Sequence, residues 1–223
     1  MGVFAVSSAD ARGNVTAMGE RKTWTPADVV DVSGPPALLR NYLEQGLVRD
    51  CVLRAAMTTP ITRAYDVGCG FGRLTPVLSE FASVVIGFER EPSLLATARQ
   101  LLPSLEFIEV ATLETLPAPD GSAELVMTFT VLQHMPDAGA EAVIREVTRV
   151  LAPGGHVLIV EETDPALEAG DPNNAEAGYT RGRPWSWYEA RLAPLRLIRM
   201  GPREIEPGYP RVDVGTYMLF GPA

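Results

Sequence analysis

The sequence predicts an α/β fold on a parallel sheet, and three observations carry that expectation. Short, β-rich apolar runs alternate with helix-period segments, the pattern of successive βαβ units. One of the junctions, Tyr65 to Thr75, is a strand ending in an acid followed by glycines at Gly68, Gly70 and Gly72 and then a helix-like stretch. The chain has 223 residues, 46% hydrophobic and 21% charged, which suits one α/β domain with a filled core.

Residues 1–33 are polar and irregular. Pro35-Pro36 opens a helix over Ala37–Met57, where Leu38, Leu39, Tyr42, Leu43, Leu47, Val48 and Cys51 recur at helical spacing. Thr58-Thr59-Pro60 ends it. Ala64–Val67 is the first strand, Arg73–Phe81 a helix and Ser83–Phe88 the second strand. Pro92 starts a helix that runs to about Leu102, and Leu105–Val110 is the third strand. Leu125–Thr130 is the fourth strand, Ala138–Leu151 a helix and His156–Glu161 the fifth strand after Pro153-Gly154-Gly155. Asp164–Arg183 has no period and reads as a long loop. Trp185–Leu192 is helical, and Leu195–Met200 and Val214–Phe220 form a closing pair of strands.

Composition narrows the functional classes. The net charge of −9 disfavours a nucleic-acid substrate, whose phosphates require clustered Lys and Arg. No apolar run approaches the roughly 20 residues of a membrane span. The first thirty residues lack a basic region followed by an apolar core, so a secretory leader is not expected. Two cysteines and two histidines make neither a disulfide framework nor a metal cluster. A cytoplasmic, metal-free protein is the expectation.

The glycine turn lets backbone approach a ligand closely, with a helix N-terminus behind it. The dinucleotide fingerprint needs a glycine where this chain has Arg73, so the run reads acid-x-G-x-G-x-G instead. About twenty residues on, the second strand ends Gly87-Phe88-Glu89, an acid placed to accept hydrogen bonds from ribose hydroxyls. Leu116-Pro117-Ala118-Pro119-Asp120-Gly121-Ser122 leads into the fourth strand, Val131-Leu132-Gln133-His134-Met135-Pro136-Asp137 follows it, and Arg149-Val150-Leu151-Ala152-Pro153-Gly154-Gly155 precedes the fifth. Collinear over residues 40–162, these stretches resemble the motifs of class I S-adenosylmethionine (SAM)-dependent methyltransferases.

The resemblance implies a Rossmann-like, mostly parallel seven-stranded sheet with helices on both faces and one antiparallel strand near the edge. It implies a methyltransferase domain over residues 35–223, with 163–190 on the substrate side. Residues 1–34 could fold over the cofactor as a lid, or form a tail. By the same resemblance Asp66, Gly68, Cys69 and Gly70 flank the methionine part of SAM, Glu89 holds the ribose, and Arg90 lies beside the adenine. The adenine-binding Asp of the family is absent; Thr112 takes that place, with Leu113 supplying a backbone N–H. Thr130 and Val131 line the methionine arm and sulfonium.

For catalysis His134 leads as a general base, with a structural role for the loop as its alternative. Glu161 and Glu162, at the end of the fifth strand, are the next candidates to meet the acceptor. His156 is expected to be structural. Tyr179, Arg181, Arg183, Trp185, Trp187 and Tyr188 either line an acceptor pocket or pack on the sheet. The resemblance points to methyl transfer to oxygen or nitrogen of a small-molecule acceptor, in a biosynthetic tailoring step, by a monomer or homodimer, with S-adenosylhomocysteine as product. Thr128-Phe129-Thr130-Val131 stands where nucleic-acid methylases carry an N/D-P-P-Y/F motif. Two rivals are a non-catalytic SAM-binding regulator or scaffold of the same fold and a nicotinamide-dependent oxidoreductase. Arg73 and the lack of a recognisable catalytic Tyr/Lys pair argue against the second.

Overall fold

A computed structural model describes residues 34–171, 178–203 and 215–223, with side chains from Leu38 onward. The segment expected as a lid, 1–33, lies outside the described residues, as do 172–177 and 204–214. In chain order the elements are α1 (Gly34–Ala56), β1 (Arg63–Val67), α2 (Thr75–Leu78), β2 (Val84–Glu89), α3 (Pro92–Leu101), β3 (Glu106–Glu109) and β4 (Ala123–Phe129). A 3₁₀ turn (Leu132–His134), α4 (Asp137–Val150), β5 (Leu151–Glu161), β6 (Glu168–Ala169), β7 (Thr180–Arg181), α5 (Trp185–Leu192), β8 (Arg196–Pro202) and β9 (Thr216–Gly221) follow.

Seven strands form one sheet in the order β3-β2-β1-β4-β5-β9-β8. Strands β1 to β5 pair in parallel, and β9 is inserted antiparallel between β5 and β8. The expected Rossmann-like sheet with one antiparallel strand near the edge is the observed one. From β1 the chain first winds outward through β2 and β3, then crosses to β4 and β5 on the other side. The switch in strand order therefore falls beside the carboxyl end of β1, where such sheets bind ligands.

The core follows from the two-residue period of strands. Tyr65, Val67, Val126, Val157 and Ile159 face one layer, built from α4 and α5. Ala64, Leu125, Met127, Leu158 and Val160 face the other, built from α1 and α2. In α4, Ala140, Val143, Ile144 and Val147 are all buried, the i, i+3, i+4, i+7 stripe of a helix on a sheet. Val48, Cys51, Val52 and Ala55 repeat that stripe in α1.

Two local differences from expectation have physical reasons, and a third adds a short strand pair. Only Thr75–Leu78 of the predicted Arg73–Phe81 helix is α-helical. Beyond it Ser79, Glu80 and Phe81 donate to carbonyls three residues back, and the Ser79 hydroxyl takes the Pro76 carbonyl, so the last turn tightens. Strand β5 starts at Leu151, before the Pro-Gly-Gly run, because Leu151 already pairs with Ala123; the register then shifts to Leu125 opposite His156. Within the expected loop Asp164–Arg183, β6 and β7 make a two-residue antiparallel pair.

Candidate active site

A cavity of about 370 Å³ lies over the carboxyl ends of β1, β2 and β4. That volume is in the usual range for small-molecule sites. The glycine turn forms its floor. Gly68 has φ +77°, and a Cβ there would stand 2.5 Å from Cγ2 of Val131. A side chain is thus excluded twice, by backbone conformation and by the close approach of the β4 loop. Gly70 follows at φ +57°. Cys69, between them, is buried; its thiol contacts the Gly70 carbonyl at 3.7 Å and packs on Gly87 in β2.

Glu89, at the tip of β2, organises this turn. Its Oε2 accepts the Gly70 N–H at 2.9 Å, and its Oε1 accepts those of Arg90 at 2.7 Å and Glu91 at 3.0 Å. A carboxylate offers about four acceptor directions, so three amides leave capacity for one more donor. Asp66, at the end of β1, is 3% exposed and accepts the Thr75 hydroxyl at 2.7 Å. Burial pushes its carboxyl up to about 7; the Thr75 hydroxyl and Arg73 oppose that rise, and the neighbouring charge of Glu89 adds to it.

Across β1 from Glu89, the chain leaves β4 through Thr130, whose φ of +53° is a strained value for a β-branched residue. Its N–H donates to the Val160 carbonyl at 2.7 Å, which holds it there. The 3₁₀ turn that follows hangs from Glu161. This fully buried carboxylate accepts the N–H groups of Val131, Leu132 and Gln133, each at 3.0 Å. Burial pushes Glu161 up to about 6, and the three amides and Arg183 oppose that rise.

On the carbonyl side, Arg183 is 1% exposed and braces the same turn. It donates to the Leu132 carbonyl at 2.8 Å, the Met135 carbonyl at 2.5 Å and the Asp137 carboxylate at 2.8 Å. The turn ends on His134, which lines the cavity. Its Nδ1 lies 2.8 Å from the carbonyl oxygen of Tyr179. A carbonyl only accepts, so Nδ1 carries a proton; in the neutral ring the lone pair is then on Nε2, which lies 3.4 Å from the Gln133 amide nitrogen.

Ten of the expected site residues line the cavity: Asp66, Gly68, Cys69, Gly70, Glu89, Arg90, Leu113, Thr130, Val131 and His134. Thr112 and Glu161 do not. The Thr112 hydroxyl accepts the Glu114 N–H at 3.1 Å within its own turn, while Leu113 turns inward. Glu161 has its oxygens occupied by amides, so the expectation that it meets the acceptor is corrected: it positions the turn that carries His134. Glu162 likewise accepts the N–H groups of Thr163 and Asp164, away from the cavity.

His156 is buried in the middle of β5 beside the Thr58 hydroxyl. The aromatic and basic cluster resolves toward packing. Tyr188 is fully buried, Trp187 meets it edge-on at 5.0 Å, and Arg183 and Arg191 lie over the Trp187 ring. Sequence reading did not assign Phe71, Leu94, Phe129 or Met135 to the cavity, and it used Arg73 only to exclude a dinucleotide fold; all five line it. Phe129, the last residue of β4, was the one with a signal, since strand tips supply the site in this topology. Among the described residues there is no acidic, His or Cys cluster fit for a metal and no helix long and apolar enough to cross a membrane.

Residues 65–159 match a family model described as a methyltransferase domain. Trans-aconitate 2-methyltransferase of Variovorax paradoxus is 33% identical over 132 residues, 58% of this chain and 49% of that protein. The chloroplastic tocopherol O-methyltransferase of Arabidopsis thaliana is 35% identical over 118 residues, 50% of this chain and 33% of that protein. The chain spans about half the length of the first curated relatives it matches. A SAM-dependent methyltransferase of Methanosarcina mazei superposes with a TM-score of 0.61 at 18% identity, covering 74% of this chain and 93% of that one. At that identity the likeness speaks for the fold.

Proposed function

We propose, from the premise that residues 65–159 form a class I, Rossmann-like methyltransferase domain, that the chain transfers the methyl group of SAM to oxygen or nitrogen of a small-molecule acceptor. One observation carries the reading. A single cavity joins the glycine turn and Glu89 to the strained exit of β4 and a histidine of fixed tautomer. The names of two relatives, trans-aconitate 2-methyltransferase and tocopherol O-methyltransferase, support a small acceptor and favour oxygen. A tailoring step in biosynthesis fits such an acceptor.

The residues present suit SAM. The remaining acceptor direction of Glu89 faces a cavity it lines, as ribose hydroxyls require, and Leu94 and Leu113 offer apolar surface for a purine. Asp66, Gly68 and Gly70 would hold the methionine portion. Bound there, the cofactor supplies a methyl group already activated by the sulfonium. The chain's own part is to fix the acceptor in line, exclude water and accept one proton. Nε2 of His134 is the group for that proton, when the acceptor arrives as an alcohol, acid or ammonium. Glu161 and Arg183 keep it in place through the backbone.

Isothermal titration with S-adenosylhomocysteine, with NADH as the control, tests the reading. Micromolar binding of the first alone is expected. Binding of NADH alone, or of neither ligand by folded protein, would overturn it.

A further inference from the structure

We propose that Arg73, which lines the cavity, and Arg203, which reaches the same Phe129 ring from outside the lining, form a carboxylate-binding subsite. It rests on the methyltransferase reading for the ligands it names, and it specifies the chemistry that this part of the site recognises.

The two arginines come from opposite ends of the chain. Arg73 follows the glycine turn and lines the cavity. Arg203 leaves β8 at the same edge of the sheet, its N–H fixed to the Gly215 carbonyl at 2.9 Å. Their guanidinium carbons stand 5.6 and 5.7 Å from the centre of the Phe129 ring. Cations on one aromatic ring gain from its quadrupole, yet they repel one another.

The charges do not balance locally. Glu44, fully buried on α1, is the shared counter-ion. It is 2.5 Å from Arg73 and accepts from Arg40 at 3.1 Å, but it lies 3.7 Å from Nε of Arg203. Three guanidiniums therefore share one carboxylate. Among the described residues, the other acids acting on them are Asp66 on Arg73 and Glu161 on Arg203, engaged by the Thr75 hydroxyl and by three amides. Burial lowers the proton affinity of both Arg73 and Arg203, and the charge of Glu44 opposes it; Arg73 also donates to the Asn41 side-chain oxygen at 3.1 Å.

Arg203 supplies the second, independent sign. It is 8% exposed, and its buried Nε and Nη1 have no hydrogen-bond acceptor among the described residues. Buried guanidinium N–H groups are rarely left so, and their planar fork matches a carboxylate. An anion on the Phe129 ring would take these donors and bring the cluster toward neutrality. A carboxylate can come from the methionine tail of the cofactor or from an acidic acceptor.

Calorimetry on the full chain and on Arg203→Met separates these sources. The probes are S-adenosylhomocysteine, its analogue lacking only the carboxylate (S-adenosyl-3-thiopropylamine), and succinate or citrate titrated with and without S-adenosylhomocysteine. If the cofactor's carboxylate is the occupant, the variant loses about 10- to 100-fold toward S-adenosylhomocysteine and nothing toward the decarboxylated analogue. If an acceptor's carboxylate is, S-adenosylhomocysteine affinity holds, and succinate or citrate binds the wild-type complex but not the variant.

Equal affinities of wild type and variant for every probe would overturn the proposal and leave the arginines as a brace on Glu44. So would wild-type protein that binds none of them. Arg203-dependent binding of citrate without any binding of S-adenosylhomocysteine would keep the subsite and overturn the methyltransferase reading. Should Arg203→Met not fold, Arg203→Lys carries the comparison: charge without the fork, with a several-fold loss confined to the carboxylate-bearing probes.

Discussion

Glu161 holds His134 in place without touching it. The carboxylate, on the last residue of β5, gathers the amides of Val131, Leu132 and Gln133, and His134 closes that turn with its own N–H on the Val131 carbonyl at 3.1 Å. A charge buried in the sheet thereby fixes where an imidazole meets the cavity. The Tyr179 carbonyl then fixes which nitrogen of that imidazole carries a proton.

Glu161→Gln keeps the shape and replaces one acceptor oxygen with a donor facing amides. Loss of a charge-assisted amide contact costs about 1–3 kcal/mol, so a lower unfolding midpoint in urea is expected. Turnover should fall while S-adenosylhomocysteine affinity stays near wild type. A variant with unchanged midpoint and turnover would refute the positioning role.

His134→Asn should lower turnover of an acceptor found by screening by about 10²- to 10⁴-fold, the usual worth of a general base. Cofactor affinity, read by calorimetry, should not change. Wild-type turnover in the variant would leave the histidine a structural residue of the loop.

Gly68→Ala meets two obstacles, the positive φ and Cγ2 of Val131 at 2.5 Å. Each is worth about 1–3 kcal/mol, so a loss of several kcal/mol in thermal or urea unfolding is expected. Adding Val131→Ala should restore the steric share alone. Full rescue by the second substitution would show that backbone conformation contributes nothing there.

Asp66 predicts a pH dependence with a definite sign. Its carboxyl is raised from 3.8 to about 7 in the folded chain, so the folded state binds that proton more tightly than the unfolded state. The resulting stability is present below the unfolded value and is lost as pH rises through about 7. Asp66→Asn should remove this component: its unfolding free energy relative to wild type should rise steadily between about pH 4 and pH 7. A difference that is flat with pH would rule out the raised value.

Glu89→Ala removes the acceptor of three amides and the proposed ribose partner together. A fall of at least 10-fold in S-adenosylhomocysteine affinity is expected by calorimetry, from about 1.5–3 kcal/mol per charged hydrogen bond.

The parts of the site visible in the sequence are those made by contiguous residues. Asp66, the glycines and Glu89 sit at strand tips, where the two-residue period and the turn residues locate them without knowledge of the tertiary fold. Glu161 was located but not understood, because its role depends on a turn thirty residues earlier lying against it in space. Thr112 was placed by analogy to a missing acid, and a hydroxyl that can cap its own turn does so instead. For Arg183 and Tyr188 the sequence left an acceptor pocket and packing on the sheet both open. Burial favours packing, since a guanidinium with three backbone and carboxylate acceptors can be enclosed. Arg203 carried no signal at all; only the sheet brings it to Phe129.

Cys69 adds a constraint of a different kind. A thiolate is a strong nucleophile, and in the proposed enzyme this sulfur would lie within the turn that cradles a methyl donor. Burial raises its proton affinity well above that of a free cysteine, aided by the nearby charges of Asp66 and Glu89. The missing side chain at Gly87 gives the sulfur a recess against the sheet. Burial, with the same carboxylates that shape the turn, thus holds its thiol protonated, and in the proposed enzyme this would disfavour methylation of the sulfur.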